Sequence, residues 1–370
     1  MALLARANEL AEQGRDVIHL EIGEPDFPTP GPVLAAAQSA LQQGMTRYTD
    51  SRGIQPLRDQ VSGYYARRYG VDVSPERIFI TAGASGGLLL VTALLINPGE
   101  NLLMTDPGYP CNRHFLAAFE GDGLLVPVDS STDYQLSPEL VDEYWDANSR
   151  GVLVATPSNP TGSVLSPAGL AALSDAVSRH GGHMIVDEIY QGLVYGNDPP
   201  VSVLAINDDA IVVNSFSKYF GMTGWRLGWV VVPAGLAESL ERLAQNLFIC
   251  PSAISQYAAL GAFDPECLDL LEARRQELEA RKSYLVPALR DLGFDIPVDP
   301  QGAFYVYARL PAGYDDSETF CARLLEEEFV AITPGTDFGE YQANQMVRFS
   351  YAVGLPRLKE AVERIQRMLS

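Results

Sequence analysis

The chain has 370 residues, 47% of them hydrophobic and 20% charged, which is length enough for one large domain with a smaller one beside it. Its 47 acidic and 26 basic residues leave a formal net charge of -21, a surface that repels nucleic acid and anionic membranes and so excludes both as expected partners. Cys111, Cys250, Cys267 and Cys321 are too widely spaced for a C-x-x-C pair and read as reduced thiols, as expected of a cytoplasmic protein.

The first stretch, "MALLARANELAEQGRD" (1–16), predicts an amphipathic helix with Leu3, Leu4, Ala7, Leu10 and Ala11 on one face, and it lacks the apolar core of a secretion signal. "VIHLEIGEPDFPTP" (17–30) is too isolated to form a core alone. Strand-like runs then appear at 77–81, 101–105, 124–128, 152–156, 184–188, 211–215 and 227–233. Between most of them lie helical patterns such as "SPAGLAALSDAVSRHGG" (166–182), where Ser166 fits an N-cap, Pro167 the first position and Gly181 the stop. Near-continuous apolar strands separated by helices predict an α/β fold, a mostly parallel seven-stranded sheet with helices on both faces. The longest apolar run, "GLLLVTALLI" (87–96), is too short to span a bilayer.

From about residue 253 the pattern changes. A long charged helical stretch (253–291) precedes "AFYVYARL" (303–310), helix-like "SETFCARLLEEEF" (317–329), the short run "VAIT" (330–333) and a last helix after Pro356. This predicts a smaller α+β domain. The expected division is 31–260 for the large domain, with 1–30 and 261–370 forming the small one.

In a doubly wound sheet, sites form beyond the carboxyl ends of the strands. Five such ends carry unusual residues: "TAGASGG" (81–87), "DPGYP" (106–110), "PSNPTG" (157–162), "DEIY" (187–190) and "SFSK" (215–218). In the first, Gly83, Ala84 and Ser85 precede a helix, where free amides and small side chains suit a phosphate. An ordinary strand-to-helix turn explains the same residues. The segment Gly83–Gly87 also fits G-x-S-x-G, the nucleophile elbow of a serine hydrolase using Ser85. That reading wants a later histidine at a strand's carboxyl end, whereas the last one, His183, begins a strand. His180 and His183 flank a turn without further ligands at metal spacing, so no zinc site is expected.

Asp187 and Glu188 end an apolar strand, where a buried carboxylate is costly unless paired. They read either as a cap or core ion pair, or as an acid holding a proton on a cofactor. Asn159 sits between prolines and reads as a turn residue or as a donor to an anionic oxygen. Lys218 stands in "SFSKYFGMTGWRLGW" (215–229), among apolar and aromatic residues. A desolvated amine has a lowered pKa and forms Schiff bases readily. A pyridoxal phosphate enzyme needs a lysine for the aldehyde, an acid for the pyridinium nitrogen and a phosphate site, and these strand ends supply all three. Arg226 then reads as a phosphate ligand.

With these motifs in order, and with "GEPDF" (23–27), "GAFYVY" (302–307), "PGTDFG" (334–339) and "VRFSYA" (347–352), the whole chain resembles the class I/II aminotransferases, fold type I pyridoxal phosphate enzymes. The resemblance implies transamination between an amino acid and a 2-oxo acid by ping-pong exchange, with pyridoxal 5'-phosphate as cofactor. It implies that Lys218 forms the Schiff base and acts as the base. Asp187 would pair with the pyridine nitrogen, Tyr190 and Asn159 would bond the phenolic oxygen, and Tyr109 would stack on the ring. Ala84, Ser85, Ser215 and Arg226 would hold the phosphate. Arg348, assisted by Gly23, would bind the substrate α-carboxylate. Tyr48 would reach the phosphate of a neighbouring subunit, making a homodimer with shared sites. Carbon–sulfur β-elimination on the same site is the alternative reaction. No second arginine stands out for a side-chain carboxylate, and Arg47 and Arg52, which flank Tyr48, read as surface residues.

Overall fold

Seven strands build the central sheet: β2 (Ile78–Thr81), β3 (Asn101–Asp106), β4 (Asp122–Pro127), β5 (Ser149–Ala155), β6 (His183–Asp187), β7 (Ile211–Ser215) and β8 (Gly228–Val231). They follow the short β1 (Ile18–His19). The structure is a computed structural model and describes residues 2–196 and 200–370. The sheet order is β2-β8-β7-β6-β5-β3-β4. Neighbours pair in parallel except β8, which is antiparallel to both β2 and β7.

The central strands are largely apolar because both faces are covered, while the edge strand β4 is only partly buried. Alternation divides them between two cores. Ile80, Leu103, Val152, Val186 and Val212 face one, and Phe79, Leu102, Leu153, Ile185 and Val213 the other. The second core is closed by the helices Gly83–Leu95 and Ala234–Leu247, which meet each other and the sheet. The helix Pro167–Arg179 begins as the sequence predicts, with Ser166 Oγ accepting from the Gly169 amide at 3.0 Å.

Beyond this sheet, β9 (Tyr305–Arg309), β11 (Thr333–Pro334) and β12 (Met346–Ser350) form an antiparallel sheet in the order β11-β12-β9. The helices Ser317–Glu328 and Leu355–Leu369 pack on each other beside it. The run 330–333 does not make one strand. Val330 and Ala331 form β10, which pairs in parallel with β1, and Thr333 and Pro334 form β11. The helical stretch 253–291 is also divided, into Ala253–Leu260, a short turn and Pro265–Asp291. Pro265 cannot continue the preceding helix and starts a new one. In the first helix, Ala2–Glu12, Ala7 and Leu10 are buried as expected, while Ala11 is exposed. No helix among the described residues is long and apolar enough to cross a membrane.

Candidate active site

The carboxyl ends of β2, β3, β5, β6 and β7 open on one cavity of about 340 Å³. From the strand ends it is lined by Ala84, Ser85, Tyr109, Asn159, Asp187, Tyr190, Ser215 and Lys218, and further by Arg226, Gly23 and Arg348. The sequence-predicted residues therefore converge, with one exception. Tyr48 is 82% exposed and lies outside this cavity.

Lys218 is half-buried, its Nζ donating to Gly23 O at 2.6 Å and lying 6.0 Å from the ring centres of Tyr190 and Phe304. Burial, opposed by the nearby Glu24 carboxylate, lowers its pKa to about 8. Asp187 is buried at the end of β6 and accepts the Ile189 amide at 3.0 Å. Burial outweighs that bond and raises its pKa to about 6. The adjacent Glu188 points elsewhere, as strand alternation requires. It accepts Ser202 Oγ at 2.9 Å and the Val203 amide at 2.8 Å, and burial raises its pKa to about 7. The two readings of "DEIY" thus divide between its two acids: Asp187 faces the cavity and Glu188 braces a loop.

Gly83 opens the helix Gly83–Leu95 with φ +71°, and a Cβ there would come within 2.7 Å of Arg226 Nη2. The small residue lets the guanidinium approach the helix N-terminus, where an anion is favoured. Ser215 Oγ is held by Ser217 Oγ at 2.9 Å and Leu227 O at 3.1 Å.

Arg348, on β12, is 6% exposed and stacked between the rings of Tyr305 and Phe338, 4.3 and 4.7 Å away. Its Nη1 donates to Asn159 Oδ1 at 2.8 Å and its Nη2 to Glu21 O at 2.6 Å, while the buried Nε has no partner. No carboxylate among the described residues pairs with it. A buried guanidinium without an acid, and with a free donor, is a receptor for an anion.

The "aminotransferase class I and II" family model matches residues 15–365. The chain belongs to the class I and II aminotransferase family. This aminotransferase is 39% identical over 363 residues to the valine–pyruvate aminotransferase of Mycobacterium tuberculosis, covering 98% of this chain and 93% of that one. It is 34% identical to the aspartate aminotransferase of Thermotoga maritima, covering 100% of this chain and 96% of that one. The crystal structure of an aminotransferase from Mycobacterium tuberculosis superimposes with a TM-score of 0.96 at 38% identity, covering 100% of this chain and 95% of that one.

Aminotransferases of this family depend on pyridoxal 5'-phosphate and exchange amino and 2-oxo acids, and both hold for this enzyme. Its cavity fits the cofactor: a desolvated lysine, a buried acid with a raised pKa, and a helix N-terminus cleared by Gly83 beside a guanidinium. Neither the β-elimination nor the serine hydrolase alternative finds support among the relatives. No histidine is among the residues lining the cavity, so Ser85 lacks the histidine partner that the hydrolase reading wants. The histidines also form no metal cluster among the described residues, and His180 instead stacks on Trp145 and bonds Asp142.

Sequence reasoning assigned no role to Tyr305, whose hydroxyl pairs with that of Tyr190 at 2.9 Å. "GAFYVY" marked the segment, but a strand pattern does not reveal which tyrosine meets the cavity. Thr223 and Ser217 were likewise missed as lining residues. Arg52 is no free surface residue: it is drawn against Glu76 and Glu241, at 2.7 and 2.5 Å.

Proposed function

We propose that transamination proceeds in this cavity with Lys218 as the base and Arg348 as the receptor of the substrate α-carboxylate. The observation that carries this reading is the unpaired, buried Arg348 on the same cavity as a desolvated Lys218 and a buried Asp187. Pyridoxal 5'-phosphate bound here would supply an aldehyde for the substrate amine and an electron-withdrawing ring. Asp187 holds the proton on the ring nitrogen. Ser85, Ser215, Arg226 and the Ala84 amide would receive the phosphate, Tyr109 would cover the ring, and Tyr190 and Asn159 would bond its phenolic oxygen. Lys218 Nζ, with a pKa near 8, is uncharged in a useful fraction near neutral pH and takes the α-proton. Arg348 turns its free donor to the carboxylate and fixes the α-carbon within reach. Asn159 Oδ1 and Gly23 steady the guanidinium and the Lys218 amine.

Residues 31–260 form the large domain of this reading and residues 1–30 with 261–370 the small one, so Arg348 and Gly23 come from one side and Lys218 from the other. The active unit is a homodimer. Exposed Leu41, Met45, Leu247, Phe248 and Ile249 support it, because they extend an apolar surface around Tyr48, where Thr49 N meets Cys250 Sγ at 3.4 Å. Tyr48 then reaches the other copy's phosphate site. Four free cysteines are consistent with a reducing, cytoplasmic location.

Steady-state kinetics with an amino acid and a 2-oxo acid test the exchange. Parallel double-reciprocal lines are expected, since the first product leaves before the second substrate binds. Intersecting lines overturn it.

A further inference from the structure

We propose that this site selects amino donors and oxo acid acceptors with uncharged side chains and discriminates against a second carboxylate. The proposal rests on the transaminase reading above and extends it to substrate class.

Among the described residues that line the cavity, the cations are Lys218, Arg226 and Arg348. Each is committed. Lys218 is the base, held at Gly23 O. Arg226 lies over Gly83 at the helix N-terminus, where the phosphate belongs. Arg348 is clamped between Tyr305 and Phe338 and takes the α-carboxylate. The rest of the wall holds no further cation: it includes Leu88, Ala155 and Ile189, the rings of Tyr109 and Tyr305, and the uncharged hydroxyls of Ser217 and Thr223. The acids near Lys218 add to the bias. Asp187 lies in the cavity wall, and Glu24, bonded by Thr223 Oγ1, is the carboxylate that acts most strongly on the lysine. A substrate side-chain carboxylate would lose its water here against neutral groups and two acids. An uncharged side chain incurs no such cost, and an apolar one gains from burial.

The exchange uses one cavity for both halves, so the restriction covers the acceptor as well: a monocarboxylic oxo acid rather than a dicarboxylic one. Two arginines lie near enough to matter. Arg113, half-buried on the helix Cys111–Ala117, lines an adjoining hollow of about 20 Å³ that shares Tyr109, Ala155 and Asn159 with the main cavity, and it feels Asp106. Arg47 is exposed beside Tyr48, the residue expected to reach a second copy.

The test uses the holoenzyme and compares pairs that differ in charge but hardly in shape, asparagine with aspartate and glutamine with glutamate, alongside alanine and valine. Each half-reaction is followed by the change in the near-visible absorbance of the resting enzyme. The expected kcat/KM is about 100-fold higher for the better neutral donor than for either acid, and at least about tenfold higher for each amide than for its acid. Aspartate or glutamate reacting as well as its amide overturns the proposal. Reaction with none of the six donors overturns the transaminase reading itself. Arg113→Ala and Arg47→Ala are expected to leave the amide-to-acid ratio unchanged. A specific loss of acid turnover in either variant would reveal a further cation and sink the idea.

Discussion

Arg348 Nη1 donates to Asn159 Oδ1 at 2.8 Å, joining β12 to the loop that follows β5. The bond ties the proposed carboxylate receptor to a residue proposed to touch the cofactor. Arg348→Ala is therefore expected to lower kcat/KM by about two orders of magnitude, the loss of two charge-assisted bonds. Arg348→Lys should recover only part, because an ammonium cannot meet Asn159, Glu21 O and a carboxylate together. Asn159→Ala should cost less, about tenfold, since Glu21 O and Thr333 Oγ1 still hold the guanidinium. Steady-state kinetics, with melting curves as a control for folding, check all three.

Lys218→Ala removes the base and the covalent anchor together. Transamination should fall by at least the roughly 10²–10⁴-fold of a positioned base. The cofactor should still bind through Asp187 and the phosphate donors. Borohydride should fix it covalently to the wild type and not to the variant. Turnover by Lys218→Ala at the wild-type rate would refute the assignment.

Those assignments were legible because Lys218, Asp187 and Asn159 stand at the carboxyl ends of apolar strands, and parallel pairing brings such ends together. Strand alternation also separates Asp187 from Glu188, although the sequence alone left both open. Other features carry no local signal. The Tyr190–Tyr305 hydroxyl pair spans 115 residues, and the partners of Arg348, Glu21 O and Thr333, come from opposite ends of the chain. The run 330–333 gives Val330 and Ala331 to one sheet and Thr333 to another, too few for any periodicity. The break before Pro265 did have its proline as a signal, and the charged helical pattern on either side obscured it.

Gly339 ends "PGTDFG", and a Cβ there would overlap the Asp106 carboxylate. That carboxylate accepts the amides of Glu340 and Tyr341, each at 3.1 Å, and Gly108 N donates to Phe338 O at 2.9 Å. The loop bearing Tyr109 is thus fastened to the loop whose Phe338 stacks on Arg348. Gly339→Ala should destabilise by about 1–3 kcal/mol and raise KM, since both rings shift. Gly235→Ala is the control: a Cβ there meets nothing, and within the helix Ala234–Leu247 it should be neutral or stabilising by up to about 1 kcal/mol. Denaturant melts and kinetics on the pair separate the two outcomes.

The apolar surface around Tyr48 gives a further check. Leu247 and Ile249 are half exposed, so a charge there costs little within one chain but much in a dimer interface. Leu247→Glu with Ile249→Asp should shift sedimentation from dimer to monomer and remove activity together. A wild type that sediments as a monomer at full activity would refute shared sites.

Glu188 makes the stability depend on pH in a defined direction. Burial raises its pKa from 4.5 to about 7, so the folded chain holds this proton more tightly than the unfolded one. The stabilisation is complete below pH 4.5 and is lost as pH rises through about 7. The bonds from Ser202 Oγ and Val203 N soften the effect without reversing it. Its upper bound is roughly 3 kcal/mol at one pKa unit per 1.36 kcal/mol. Glu188→Gln keeps an oxygen for both donors and carries no charge. The difference in Tm between this variant and the wild type should therefore grow in the variant's favour by a few degrees between pH 4.5 and 7, and stay level above. Asp187 titrates lower, near 6, in both proteins, and its charge adds to the rise of the Glu188 pKa. A difference that shrinks over this window would mean that Glu188 is stabilised as an anion, and the bracing role assigned to its two bonds would then outweigh its burial.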